Sequence, residues 1–313
     1  MSAPQIQQAP VTPVAVIDLP ERSRLPRPAQ VLWRAVRTVW ANRIARVGIV
    51  ILAVIVLLAV FAPLIAPYSP TETAFGRTVP PGAAHWLGTT GSGQDVLSRL
   101  LYGARVSLLV AFAAGVLSTV IAIAVGLFAG YLAGFAEETI NFVVNLFLVI
   151  PALPLMIVIA TYSPSRGIGV IVLVVVITGW AWGARVLRAQ TATLRRRDFV
   201  AAAEFSGEPT HRIVFREILP NMTSLVAASF LGAATAAVLG EAGLEFLGLG
   251  NPNTISWGTM LFWAQNDNVL LIGQWPQILA PGLAIALLAA SLSMINFGVD
   301  ALSNPRLREG VSR

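Results

Sequence analysis

The sequence predicts an all-α integral membrane protein with six transmembrane helices, and three observations carry that prediction. Hydrophobic residues make up 56% of the 313 residues and charged residues only 12%, against about 25% charged in a soluble domain. Six stretches, about 47–66, 106–130, 139–160, 168–187, 223–241 and 278–298, are apolar enough to cross a bilayer, which takes roughly 20 residues over about 30 Å of hydrocarbon. The arginines fall on alternate connections. With an inner N-terminus, 1–46, 185–222 and 299–313 hold seventeen of them, and the outer segments hold four, Arg77, Arg99, Arg105 and Arg166. Basic loops stay in the cytoplasm, so both termini are expected inside.

Composition also excludes chemistry. The chain has no cysteine and no lysine; all 21 basic residues are arginine. Thiolate nucleophiles, cysteine-held metals and the phosphate-gripping lysine of a P-loop are therefore absent. His85 and His211 lie far apart, and no metal site is expected. The sequence pI of 10.9 reflects a positive inner face, so nucleic acid is not an expected partner; lipid is.

The elements follow in order. Residues 1–30, rich in Pro, Gln and Ala, read as a disordered cytoplasmic tail, with no signal-peptide pattern. Trp33, Arg34, Arg37, Trp40, Arg43 and Arg46 stand at helical spacing, which predicts an interfacial helix at 31–46. The first span stops at Pro63 and Pro67, and 47–104 is read as this helix plus an outer segment. A core of five spans then occupies 105–302, with a short cytoplasmic tail at 303–313. Within 87–109, Asp95 to Arg105 predicts an outer amphipathic helix lying flat, with Val96, Leu97, Leu100 and Leu101 on one face and Asp95 and Arg99 as an i,i+4 pair. The second span ends in Gly126, Gly130 and Gly134, a one-turn spacing that admits close helix packing. Pro151 and Pro154 are expected to kink the third, and Asn141 and Asn145 to bond across helices. Trp180 and Trp182 read as an interfacial anchor at the inner end of the fourth span.

Residues 185–222 form a long basic loop. Asp198 to Phe205 reads as a helix capped by Asp198, with Ala201, Ala202 and Ala203 as strong formers. Gly207 and Pro209 break it, Thr210 to Leu219 is helical again, and Pro220 leads into the fifth span. Phe199, Phe205, Ile213 and Phe215 are apolar with no evident core to join, which suits insertion into a partner's groove.

These residues resemble the coupling loop of binding-protein-dependent ABC importer permeases. That pattern is Glu-Ala-Ala-x3-Gly, about ten residues, then Ile-Leu-Pro. Here it stands as Ala201-Ala202-Ala203, Gly207 and Ile218-Leu219-Pro220, with Ala201 in place of the glutamate. The 87–109 segment resembles the Leu-Gly-Thr-Asp-x-x-Gly-Arg-Asp-Val-x-Ser-Arg stretch of the dipeptide/oligopeptide/nickel branch, with Thr90 and Gln94 replacing Asp and Arg. The run Glu241-Ala-Gly-Leu-Glu245-Phe-Leu-Gly-Leu-Gly resembles the C-type subunit of that branch. Glu241 and Glu245 are candidates either for function at the membrane edge or for a place at the water interface. Trp257, Phe262, Trp263 and Trp275 give the following loop an aromatic surface, suited to docking a binding protein, lining an entry vestibule or lying in the outer interface, with Trp257 and Trp263 as outer-face candidates.

The resemblance spans about 45–308. It implies a type I importer transmembrane domain that forms half of a pathway for peptides, beside a homologous second permease. It also implies two ATP-binding subunits and an extracytoplasmic solute-binding protein. ATP and Mg would then sit on the partner subunits, with no cofactor in this chain. Members of the branch also import oligosaccharides or nickel. Two readings from other classes compete. An intramembrane enzyme needs a reactive constellation, and no Ser–His, His-Glu-x-x-His or Asp-pair motif lies on facing spans. An ion-gradient-driven carrier usually shows paired repeats and buried coupling charges, and the sequence shows neither.

Overall fold

The computed structural model describes residue 37 and residues 39–303; the tail expected at 1–30, residues 31–36 and 38 of the helix expected at 31–46, and all but the first residue of the tail expected at 303–313 lie outside the described residues. Among the described residues the regular structure is helical. Five helices are long and apolar enough to cross a membrane, or six when one bent pair counts as a single span, as the composition predicts.

Helix α1 spans Arg43–Val60, and the Asn42 side chain caps it by accepting from the Ile44 and Ala45 N–H groups. The helical stretch expected at 31–46 therefore has a boundary at Asn42. A one-turn helix, α2 (Ala62–Ile65), carries Pro63 in its first turn, where the missing N–H removes no helical bond.

Helix α3 runs from Val96 to Tyr131 without a break. Its 36 residues measure about 54 Å at 1.5 Å per residue. The flat outer helix expected at 94–105 is thus the first three turns of the second span, and a boundary at 104/105 falls inside one helix. The reason is local. The sequence between 96 and 131 holds no proline. The polar residues that argued for a surface helix are absorbed inside the protein: Asp95 is fully buried and Arg99 is 6% exposed.

Helices α4 (Phe135–Val149) and α5 (Ala152–Thr161) meet at Pro151 with an 88° bend. The expected kink is a full break. The Pro151 ring disfavours helical angles at Ile150, which adopts an extended conformation. Helix α6 (Ile168–Leu194) continues well past the tryptophan pair. Trp180 does not anchor an interface: it is 9% exposed and packs on Phe147 at 5.2 Å between ring centroids, while Trp182 is exposed.

Helices α3 and α6 pack closest at Gly126 and Gly130. A Cβ at Gly126 would lie 2.8 Å from the Ala184 carbonyl oxygen; one at Gly130 would lie 2.6 Å from the Arg188 carbonyl oxygen and from Thr191 Cβ. Gly134 plays a different part. It sits at φ +73° ahead of α4, with open space where a side chain would go. Asn145 does bond across helices, accepting from Arg185 Nη2 at 2.7 Å, and Arg188 pairs with Glu137 at 2.8 Å.

After α6 come α7 (Asp198–Phe205), α8 (Thr210–Arg212), a wide π turn at Ile213–Ile218 and a tight 3-10 turn at Leu219–Met222. Helix α9 (Thr223–Phe246) follows, then α10 (Trp257–Asn266) and α11 (Pro276–Ser303). The bundle has two distinct ends. Residues 67–95 and 247–275 gather at one, where Gln274 donates to the Thr78 carbonyl and Gln277 to the Thr89 carbonyl. The 198–222 segment sits at the other, against Tyr131.

Candidate functional site

The 198–222 segment is a helix–glycine–helix unit, as its sequence predicts. Arg197 takes the N-cap position of α7 with no side-chain cap bond, and Asp198 stands in the first turn. The aspartate therefore acts on the helix dipole rather than as the expected cap. Gly207 adopts φ +74°, and a Cβ added there would meet nothing within 4 Å. The glycine is needed for its backbone angle, since no neighbour crowds it.

The apolar residues of the unit divide into two sets. Val200, Ile213, Val214 and Ile218 are buried, joining Leu127, Leu187 and Met222 in a core at this end. Ile213 is therefore a core residue, contrary to its expected place among partner-facing side chains. Phe205 is 93% exposed. Phe199 and Phe215 are also exposed, and the Phe215 ring lies 6.1 Å from that of Phe128. Ala202 and Pro220 are exposed, while Ala201, Ala203 and Leu219 are half-buried. Glu204 Oε1 accepts from the Tyr131 hydroxyl at 2.8 Å. That bond ties α7 to α3 from the turn after Ala201, the position lacking the family's glutamate. The segment is thus anchored through its base and bare at its tip.

The opposite end is built around buried polar residues. Asp95 caps α3, accepting from the Ser98 N–H and hydroxyl at 2.8 Å, and its other oxygen meets His85 Nδ1 at 2.9 Å. The expected Asp95–Arg99 pair does not form; Arg99 Nη1 donates to Gln94 Oε1 instead. Arg105 stays exposed and reaches back to the first span. Its guanidinium donates to the Ala59 and Val60 carbonyls at 2.7 and 3.2 Å, satisfying acceptors that the end of α1 leaves open. Nothing in the local sequence signals this bond, since the partners stand 46 and 45 residues away.

Glu241 and Glu245 are 0% and 2% exposed, which removes the water-interface alternative. Glu241 accepts from the Ser107 hydroxyl at 3.2 Å, and Glu245 from the Ser256 hydroxyl. Ser256 also caps α10 in a reciprocal arrangement with Thr259. The two carboxyl groups thereby join α3, α9 and the start of α10. Among the described residues neither has a cationic partner, and Glu245 Oε1 accepts no hydrogen bond. No sequence pattern marks Ser107 or Ser256; a serine shows its role only once its acid partner is placed.

The aromatic loop also divides. Trp257 is 2% exposed, with its Nε1 donating to the Leu100 carbonyl at 2.9 Å. It locks α10 onto α3 and is no docking surface. Trp263 is 36% exposed and donates to the Pro252 carbonyl at 3.0 Å; Trp275 is exposed.

Fold and sites together define a multi-pass membrane protein with an anchored, bare-tipped loop at one end and a buried polar network at the other. Residues 122–309 match the family described as binding-protein-dependent transport system inner membrane component, and residues 31–81 match the N-terminal transmembrane domain of oligopeptide transport permease C. The chain belongs to this family of inner-membrane transport components, whose members are permease subunits and not enzymes. It is 30% identical over 282 residues to the oligopeptide transport system permease protein OppC of Bacillus subtilis, covering 89% of this chain and 91% of the relative. Against OppC of Mycobacterium tuberculosis H37Rv the identity is 33% over 284 residues, covering 88% and 96%. Against the dipeptide transport system permease protein DppC of B. subtilis it is 30% over 280 residues, covering 88% and 85%.

Proposed function

We propose that this chain is one of two related permeases in an ATP-driven peptide importer of a bacterial plasma membrane. Two ATP-binding subunits dock on the 198–222 segment, and an extracytoplasmic binding protein delivers peptide to the opposite end. ATP and Mg act on the ATP-binding subunits, and this chain contributes no cofactor site. The observation that carries the reading is the division of the loop: a base buried in the bundle and Phe205 bare at the tip. A side chain so exposed gains most from entering a partner's groove, while the fixed base passes the partner's movement to α3 and α6. Two global arrangements biased by the partner's nucleotide state then give alternating access. The relatives' names support peptides as the solute.

In a reconstituted complex, Phe205→Ala is expected to weaken docking by about 1–3 kcal/mol, the range of an interface anchor. Phe215→Ala should do less, because Phe128 already packs on that ring. Solute-stimulated ATPase measured at graded ATPase-subunit concentrations reads both, and an unchanged half-saturation for Phe205→Ala would refute the docking role.

The arginine bias supports a cytoplasmic location for the 198–222 end and both termini. A reporter fused after Arg313 and one inserted between α9 and α10 should therefore report opposite sides of the membrane. The same side for both contradicts the six-span arrangement.

A further inference from the structure

A cavity of about 300 Å³ opens between the 67–95 segment and α10, at the end away from Phe205. Arg99, Gln94, Asp267, Gln277, Met260 and Trp263 are among its lining residues. Arg99 is 6% exposed, and among the described residues its one side-chain hydrogen bond goes to the neutral Gln94 amide. Among the described residues it has no carboxylate partner. A guanidinium held out of water without an anion is costly, and it is poised to take a carboxylate in the two-pronged geometry that arginine favours. Asp267, on another wall, accepts from the Gly91 N–H at 3.2 Å through Oδ2 and has no cation partner among the described residues. The two opposite charges share one cavity and form no ion pair with each other. Met260 and Trp263 supply apolar wall beside them, and the Trp263 N–H is already used by Pro252.

We propose that this cavity is a binding site for the charged backbone of a small zwitterion, a dipeptide or tripeptide. Arg99 receives the C-terminal carboxylate, Asp267 the N-terminal ammonium, and the apolar wall one side chain. The size favours a small solute over a protein segment, since about 300 Å³ is the lower end of small-molecule pockets. Gln94 orients Arg99 and is a positioning residue. The inference rests on the peptide-import reading and gives it a first contact on the entry side.

The test uses the complex of this chain with its partner permease and ATPase subunits in lipid nanodiscs, without binding protein or ATP. Equilibrium binding is measured for three probes: radiolabelled dialanine, dialanine amide, which lacks the anion, and N-acetyl-dialanine, which lacks the cation. Wild type should bind dialanine saturably. Arg99→Gln should weaken dialanine binding by at least about tenfold while leaving dialanine amide within about twofold of its wild-type value. Asp267→Asn should show the mirror pattern, sparing N-acetyl-dialanine. Arg99→Lys, which keeps the charge, should retain part of the affinity and serves as a control for folding.

Absence of saturable dialanine binding to wild type overturns the proposal. So does an equal loss for acid and amide in Arg99→Gln. Peptide uptake into proteoliposomes by the full assembly separates the two readings. Uptake without dialanine binding removes the cavity site alone; dialanine binding without uptake removes the import reading alone.

Discussion

Gly207→Val should abolish solute-stimulated ATPase and transport while leaving the spans inserted at normal membrane levels. Gly207 sits at φ +74°, a region that a β-branched residue enters only under strain. Open space surrounds it, so the damage comes from the backbone and not from a clash. That separation makes the prediction sharp. Gly207→Asn, whose side chain tolerates the left-handed region, should recover most of the activity, and Gly207→Ala should fall between. The loop would shift the direction of α7 and carry Phe205 away from its groove, with the base core around Ile213 and Ile218 intact. Wild-type ATPase stimulation in Gly207→Val would show that the segment is an ordinary solvated loop. Equal failure of the Val and Asn variants would show that space, not backbone angle, governs the position.

Gly130→Leu should have a larger and different effect: loss of folded protein. Helices α3 and α6 meet here so closely that a bare Cβ would lie 2.6 Å from both the Arg188 carbonyl oxygen and Thr191 Cβ. Neither obstacle is the end of a flexible side chain, so the helices must separate. Separation opens the core formed by Leu127, Leu187 and Ile213, on which the loop base rests. Overpacking of this kind costs about 1–3 kcal/mol or more, and in a membrane bundle the lost contacts are themselves the association energy. The expected readout is a fall in detergent-stable monodisperse protein; a Gly134→Leu control should reduce the yield less, because an added Cβ there meets open space and only the backbone strain of its φ of +73° remains. Normal yield and transport in Gly130→Leu would show that the contact does not hold the bundle together.

The difference between these glycines marks where sequence reading stops. The spacing of Gly126, Gly130 and Gly134 treats the three alike, yet two are close contacts and the third is a turn. Pro151 announces a kink, but only the structure shows an 88° break. The polar residues mislead most. Asp95, Arg99 and Arg105 lie on a helical stripe that reads as a wet surface. Asp95 with His85 and Arg99 with Gln94 are turned inward, while Arg105 stays exposed and reaches back to the end of α1, and one helix runs through all three.

Local sequence was sufficient for properties that belong to single segments. Hydropathy over about 20 residues determines a span, and a helix–Gly–Pro–helix pattern determines the loop, because each depends on a chain's own propensity and its solvent. Partnership between distant segments was decided only by the tertiary structure. Glu241 with Ser107, 134 residues apart, Trp257 with Leu100, 157 apart, and Arg99 sharing a cavity with Asp267 have no local periodicity to betray them. Burial of a polar group is a property of what surrounds it, and the surroundings exist only once the helices have packed.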